Sequence, residues 1–310
     1  MKNLISEPLD LRSHGRNETQ EYPVVNAGKY TLVVSTNENY AFPAAVAIRS
    51  ALINAVKHPS ELDVIVFYYG DNGRELSRLQ ASFSESNVHI QPMSAAAFLA
   101  LPAKQYFGND AVYSRISIGR LLDESIKRAV YIDADTITLG DISELWEMPL
   151  CGNPLGAALE MHGPVMSHRG GLQNWREAGL PPQAKYFNSG VLSIDLNMWR
   201  EENIEEQCFS FIKKYEDTVR FPDQDALNAV MVDRWTEFDQ SMNTSSFWDS
   251  PRYGVKEHGD VLSRTRLFHY QGPSKPWHAD YGSMERRAKF IEFAKMTAWS
   301  NNLREFANIY

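Results

Sequence analysis

Arg128 to Leu139 reads R-A-V-Y-I-D-A-D-T-I-T-L. It begins apolar and turns acidic at Asp133 and Asp135, a run that predicts a buried strand. Carboxylates at the carboxyl end of a strand in an open α/β sheet lie where ligands bind. On an extended chain the i, i+2 spacing points both carboxylates to the same side. Two like charges held together in a buried strand are costly, and a bound divalent cation removes that cost. A pair of solvated turn residues satisfies the same spacing, and Asp-x-Asp alone does not decide between the two readings.

The segments on either side of this strand alternate between the two periods. Lys29 to Thr36, K-Y-T-L-V-V-S-T, predicts a strand that ends in polar residues. Phe42 to Val56 has apolar residues at Val46, Ile48, Leu52, Ile53 and Val56, with Pro43 in the first turn of a predicted helix. Leu62 to Tyr69 predicts a strand, Gly73 to Ser84 a helix, Val88 to Pro92 a short strand, and Asp110 to Leu122 contains a helix. Beyond Leu139, strands are expected at Leu155 to Glu160, Gly190 to Leu196 and Leu267 to Tyr270. Helices are expected at Met198 to Tyr215, at Gln224 to Val232 and from about Ser283. This alternation is the pattern of an α/β sheet covered on both faces. The chain divides into a polar extension (1–28), a main domain (29–282) and a C-terminal helical segment (283–310). Met161 to Lys185, rich in Gly, Pro and His, predicts a long surface loop, and loops of that length are uncommon unless functional.

Composition narrows the classes. The 310 residues carry 31 Lys+Arg and 39 Asp+Glu, a formal net charge of −8, which argues against a protein that coats nucleic acid through a broad basic face. With 43% hydrophobic residues, the chain is not globally disordered. Cys151 and Cys208 form neither a disulfide framework nor a thiolate metal cage, and a reducing compartment fits them. The start, M-K-N-L-I-S-E-P-L-D, lacks a signal peptide's apolar stretch. No stretch approaches the ~18 uninterrupted apolar residues of a membrane span. The expectation is a cytoplasmic protein, soluble or attached peripherally.

Four further motifs carry polar chemistry. His269 to His278, H-Y-Q-G-P-S-K-P-W-H, closes a short apolar strand. Imidazole is a suitable third ligand beside two carboxylates, and the mixture suits Mn²⁺ or Mg²⁺. Gly272 would let backbone approach a phosphate, and Lys275 would supply a point charge to it. A Pro-rich turn with a core histidine is the competing reading. In Tyr186-Phe187-Asn188-Ser189-Gly190, Asn188 would present an amide to a polar ligand or satisfy nearby backbone. Phe221-Pro222-Asp223-Gln224-Asp225 starts a helix, where Asp223 would accept from the first N–H groups and Asp225 would favour the dipole. Arg115, in Tyr113-Ser114-Arg115, would bind a diphosphate or sit on a helix surface.

Taken in order, these motifs resemble glycosyltransferase family 8, which includes bacterial lipo-oligosaccharide galactosyltransferases, lipopolysaccharide glucosyltransferases and glycogenins. The resemblance runs from about Lys29 to His278, and S-T-N-E-N-Y-A after the first strand is part of it. It implies a GT-A-type nucleotide-sugar-binding fold with a mixed, mostly parallel central sheet flanked by helices. It also implies retaining transfer from a UDP-hexose, UDP-glucose or UDP-galactose, with Mn²⁺ or Mg²⁺ as cofactor. Asp133, Asp135 and His269 match the family's metal ligands, and Ala134 lies between the carboxylates. Ser35, Thr36, Asn37, Asn39 and Tyr40 fall in the uridine-binding segment, where Asn37 occupies a position that is often Asp. Arg115 matches the arginine near the diphosphate, and Gly272, Lys275 and Trp277 its diphosphate loop. Asn188, Asp223 and Gln224 match residues around the donor sugar, with Gln224 facing the anomeric carbon. Glu160 falls where a shorter acid is usual.

The implied reaction moves a hexose to a saccharide or glycolipid acceptor, in lipopolysaccharide or other surface glycan synthesis. Retention can proceed by a covalent intermediate or by same-face attack within an ion pair; the lack of an obvious nucleophile favours same-face attack, with the leaving phosphate oxygen taking the acceptor proton. Three readings compete. One is a nucleotide-sugar-binding protein without turnover, a second is a self-glucosylating protein, and a third is a haloacid dehalogenase-type phosphatase built on Asp133 and Asp135. The phosphatase also needs a later Gly-Asp-x-x-x-Asp set, which neither Gly140-Asp141 nor Gly259-Asp260 completes. Trp175 and two histidines of the long loop offer an acceptor surface. Arg286, Arg287, Lys289 and Lys295, interleaved with Phe290, Phe293 and Trp299, offer either membrane contact or a docked amphipathic helix.

Overall fold

The computed structural model describes residues 30–71, 73–84, 87–93, 110–249, 263–278 and 281–303, so the 1–28 extension lies outside the described residues. The first half runs β1 (Tyr30–Asn37), α1 (Ala41–Asn54), β2 (Leu62–Tyr69), α2 (Arg74–Ala81), β3 (Val88–Met93), α3 (Ser114–Leu121) and β4 (Arg128–Asp133). There follow β5 (Thr136–Thr138), α4 (Glu144–Glu147), β6 (Leu155–Leu159), β7 (Phe187–Asp195), α5 (Leu196–Glu201), α6 (Ile204–Lys214) and α7 (Pro222–Val230). The last elements are β8 (Trp235–Glu237), β9 (Thr244–Ser245), β10 (Leu267–His269) and α8 (Met284–Ala294).

Seven strands form the central sheet in the order β3-β2-β1-β4-β7-β6-β8, and β5, β10 and β9 form a small second sheet. The central sheet is parallel except where β7 meets β4 and β6. The fold class is therefore the expected one: α/β, mixed and mostly parallel, with flanking helices. β2 is buried along its whole length, as a strand covered on both faces must be. Helix α1 is apolar on nearly every side because it is enclosed. Its Phe42 meets Phe290 edge to face at 5.5 Å and lies 5.9 Å from Trp299. The C-terminal helix thus packs into the same core as the sheet.

Three expectations need correcting. The strand expected from Arg128 to Leu139 is two strands in two sheets. Ala134 and Asp135 form a turn between them, which the Thr136 hydroxyl closes by donating to the Asp133 carbonyl at 2.8 Å. The helix expected from Met198 to Tyr215 is α5 and α6, broken at Asn203, which adopts a left-handed conformation (φ 52°, ψ 45°) that Asn tolerates better than most residues. Asp195 starts α5 early by accepting from the N–H groups of Asn197 and Met198. The 161–185 stretch is more than a surface loop. Met166, Leu172, Ala184 and Tyr186 form a second apolar cluster with Trp175 and Leu180 packed on it.

Candidate active site

Strand register assembles the site. The β1–β4 pairing sets Ser35 beside Asp133, and the β5–β10 pairing sets His269 opposite Thr136. The Tyr270 N–H then donates to the Asp135 carbonyl at 2.9 Å. Asp133, Asp135 and His269, 136 residues apart at the extremes by their numbers, place one ligand atom each within 4.8 Å of one another. His269 Nε2 is 3.2 Å from Asp135 Oδ1 and 3.7 Å from Asp133 Oδ2. The turn, and not an extended strand, brings the two carboxylates together. Gly190 on β7 makes room for them. A Cβ there would overlap His269 Cε1 and sit 2.8 Å from Asp133 Oδ2.

Cations answer the repulsion between these acids. Arg115, at the start of α3 and buried, is 2.5 Å from Asp133 Oδ1 and 3.2 Å from Asp223 Oδ2, and also donates to the Ser189 carbonyl at 2.8 Å. Its guanidinium lies 4.7 Å from the Tyr131 ring centre. Lys275 donates to Asp135 Oδ2 and, at 2.6 Å, to the Tyr270 carbonyl. Burial would raise the Asp135 carboxyl, but Lys275 and His269 outweigh it and hold the group well below the usual carboxylate range. At Asp133, burial prevails and raises the pKa, opposed by Arg115 and His269 and reinforced by Asp135. Arg115 is therefore a buried ion-pair partner of two acids and not a residue on the helix surface.

A β-bulge shapes the neighbouring part of the site. Between Ala157 and Ala158 the β6–β7 register shifts from Leu192 to Asn188, which frees Ser189 and Gly190 from regular pairing. Asn188 donates to Glu160 Oε2 at 2.8 Å and accepts from the Gly190 N–H at 2.9 Å. Gln224 Oε1 accepts from the Ser189 N–H at 3.0 Å and lies 3.3 Å from Asn188 Nδ2. Its Nε2 donates to the Tyr186 hydroxyl, which in turn donates to Asp225 Oδ1 at 2.6 Å. The capping expectation for Asp223 is overturned. Asp225 Oδ2 accepts from the Arg220 and Phe221 N–H groups, and Asp223 lies inside the helix that starts at Pro222 instead of at its cap, where it faces Arg115 and Ser189.

The segment from Ser35 to Tyr40 lies along the other side. Ser35 and Thr36 are buried and turn their hydroxyls to the protein, Ser35 to the Ala111 carbonyl at 2.9 Å. Asn37 caps the short turn after β1 by accepting from the Tyr40 N–H, and Asn39 is exposed. Tyr40 meets Trp277 edge to face at 5.8 Å. Gly272 has φ +81°, which suits glycine, and a Cβ there would come within 3.0 Å of Phe247. Buried Ala134 sits at the turn between the acids. The sequence reading missed Asn243, whose Oδ1 is 3.1 Å from His269 Nδ1, and it gave no role to Ser189, Tyr186 or Gln271. Asn243 lies in no quoted motif, and no local signal marks it.

Two carboxylates and one imidazole converging at a partly exposed point fit a hard divalent cation of the Mn²⁺ or Mg²⁺ kind. Among the described residues no helix is long and apolar enough to cross a membrane. Cys151 and Cys208 are both free thiols.

Comparison with known proteins bears on the family and the fold. Residues 31–281 match the family model for glycosyl transferase family 8. General stress protein A of Bacillus subtilis (strain 168) is 33% identical over 199 residues, which span 61% of this chain and 66% of that protein, just under two thirds of its length. A lipopolysaccharide 1,3-galactosyltransferase of Salmonella typhimurium is 24% identical over 285 residues, 89% of this chain and 81% of that one. The solved galactosyltransferase LgtC, in complex with donor and acceptor sugar analogs, superposes with a TM-score of 0.71 at 24% identity, covering 87% of this chain and 99% of its own. At that identity the likeness carries the fold.

Proposed function

The chain belongs to glycosyltransferase family 8, and from that premise we propose that it transfers a hexose, with retention, from UDP-glucose or UDP-galactose to a saccharide or glycolipid acceptor. The observation that carries this reading is the Asp133–Asp135–His269 convergence, flanked by Lys275. Family membership sets aside the phosphatase reading of the same acids. Asp133, Asp135 and His269 would hold Mn²⁺ or Mg²⁺, which offsets charge developing on a departing diphosphate. Lys275 would supply a second positive charge from the loop that begins at Gly272. The uracil would lie along Asn37 to Tyr40, and Arg115 would keep Asp133 and Asp223 oriented.

Asn188, Glu160, Asp223 and Gln224 would line the donor sugar. The Gln224 amide oxygen already accepts from the Ser189 N–H. An amide so engaged is a fixed dipole near the reacting carbon and a poor nucleophile, which supports same-face attack. The sugar–oxygen bond to the diphosphate breaks, the acceptor oxygen bonds to the anomeric carbon from the same side, and its proton passes to the leaving phosphate oxygen. The relatives named as lipopolysaccharide transferases support an acceptor of surface-glycan type. A donor screen with Mn²⁺, following UDP release from UDP-glucose, UDP-galactose and the N-acetyl sugars, tests the proposal. Release from one hexose donor, abolished by a chelator, is expected. UDP binding with neither transfer nor hydrolysis of any donor would overturn it.

A further inference from the structure

Asn243 precedes β9, which pairs with β10, and its side chain meets residues far from it in sequence. Its place in the hydrogen-bond network can be read one donor at a time. The Gly190 backbone N–H can only donate, and it lies 2.9 Å from one side-chain atom of Asn188, which must therefore be Oδ1. The other amide atom of Asn188 is then Nδ2, consistent with its 2.8 Å contact to the Glu160 carboxylate. Asn188 Oδ1 also meets Asn243 at 2.8 Å, so that atom of Asn243 is its Nδ2. The remaining atom is Oδ1, an acceptor, and it sits 3.1 Å from His269 Nδ1. His269 Nδ1 must carry a proton. Its Nε2 faces the Asp133 and Asp135 carboxylates, so with Nδ1 held as a donor to Asn243 it is Nε2 that would ligate a cation placed between those acids. Asn188, Asn243 and His269 are all buried, so bulk water does not compete for these bonds.

We infer that Asn243 is a positioning residue. It fixes the His269 tautomer and ring orientation for metal ligation, and it ties that ligand to Asn188 on the donor-sugar side. Partners of this kind, behind a metal-ligating histidine, typically change metal affinity 10–100-fold when removed. The inference rests on the metal site proposed above, but its central claim concerns a proton position that can be read without metal or substrate.

The test uses the full chain labelled with ¹⁵N-histidine, metal-free and mildly alkaline, with the His269 signals assigned by their loss in His269→Gln. Wild type is expected to show a protonated, pyrrole-type Nδ1, whether or not Nε2 also shares a proton with the carboxylates it faces. Asn243→Leu is expected to lose that pattern and to bind Mn²⁺, read by EPR of the free ion, about 10–100-fold more weakly. Asn243→Asp keeps an acceptor for the Nδ1 proton and is expected to restore the tautomer, which a merely space-filling role would not do. A proton on Nε2 alone in wild type would overturn the inference, and that reading needs no variant to fold. So would an Asn243→Leu protein with unchanged tautomer and Mn²⁺ affinity, or an Asn243→Asp protein no better than it. If wild type binds no Mn²⁺, the metal site falls and this role with it. If wild type binds Mn²⁺ and only the variants fail to respond, the metal site stands and the role of Asn243 alone is lost.

Discussion

Asp135 is the residue on which most of the site's electrostatics converge. It pairs with Lys275, faces His269 and shares a turn with Asp133. Asp135→Asn keeps the shape and removes one charge from the proposed ligand set, so it is expected to lower Mn²⁺-dependent kcat/KM by about 100-fold or more, the scale of losing a major electrostatic group. Near wild-type, Mn²⁺-dependent transfer by that variant would remove Asp135 from the metal site. Gln224 offers a different test. Its amide is held by Ser189 and Tyr186, so Gln224→Ala is expected to lower kcat on the order of 100-fold yet leave measurable retaining transfer. A hexose found covalently attached to Gln224 by intact-protein mass spectrometry would contradict same-face attack. These residues were legible in the sequence because each lies in a short motif. Asn243 was not, because its partners lie 26 and 55 residues away and only the fold brings them together.

At the level of elements, the site depends on where regular structure stops. β4 ends at Asp133, the turn carries Asp135, and the register of β5 on β10 delivers His269. A single strand through Leu139 would have held the acids side by side but kept them from the second sheet. The sequence could not show this break, because Thr136 to Leu139 is as β-prone as Arg128 to Ile132. The β7 bulge adds the second feature, with Gly190 lying directly against His269. Gly190→Ala forces the imidazole or the strand to move. It is expected to cost about 1–3 kcal/mol in urea denaturation, the range of an overpacked core, and to weaken Mn²⁺ binding as well. Unchanged stability with unchanged Mn²⁺ affinity would mean that the close approach at Gly190 is not maintained in solution.

At the scale of the whole molecule, the C-terminal helix is part of the core. Phe290 is 1% exposed and meets Phe42, Tyr270 and Trp277. Phe290→Ala is expected to cost about 3–5 kcal/mol and to shift one unfolding transition rather than create a second. A separate early transition would show that the helix melts alone. The basic residues tell the same story. Arg286 lies over the Phe268 ring and Arg287 donates to the His278 carbonyl, while Lys289 pairs with Glu292. That leaves Lys295 as the least committed of the four, and one lysine is worth only about 1 kcal/mol at an anionic surface. Co-sedimentation with anionic vesicles is therefore expected to be absent at physiological salt, and salt-sensitive binding lost on truncation near Ser283 would reverse that view. The sequence by itself determined the α/β class, the order of the motifs and the identity of the polar groups, because periodicity and short motifs are local properties of the chain. The tertiary structure decided which polar atoms meet. It turned Asp135 toward Lys275, gave Asp223 to Arg115 instead of the helix N-terminus, and set Asn243 behind His269. Those outcomes depend on register, bulges and turns, which follow from the packing of the whole chain.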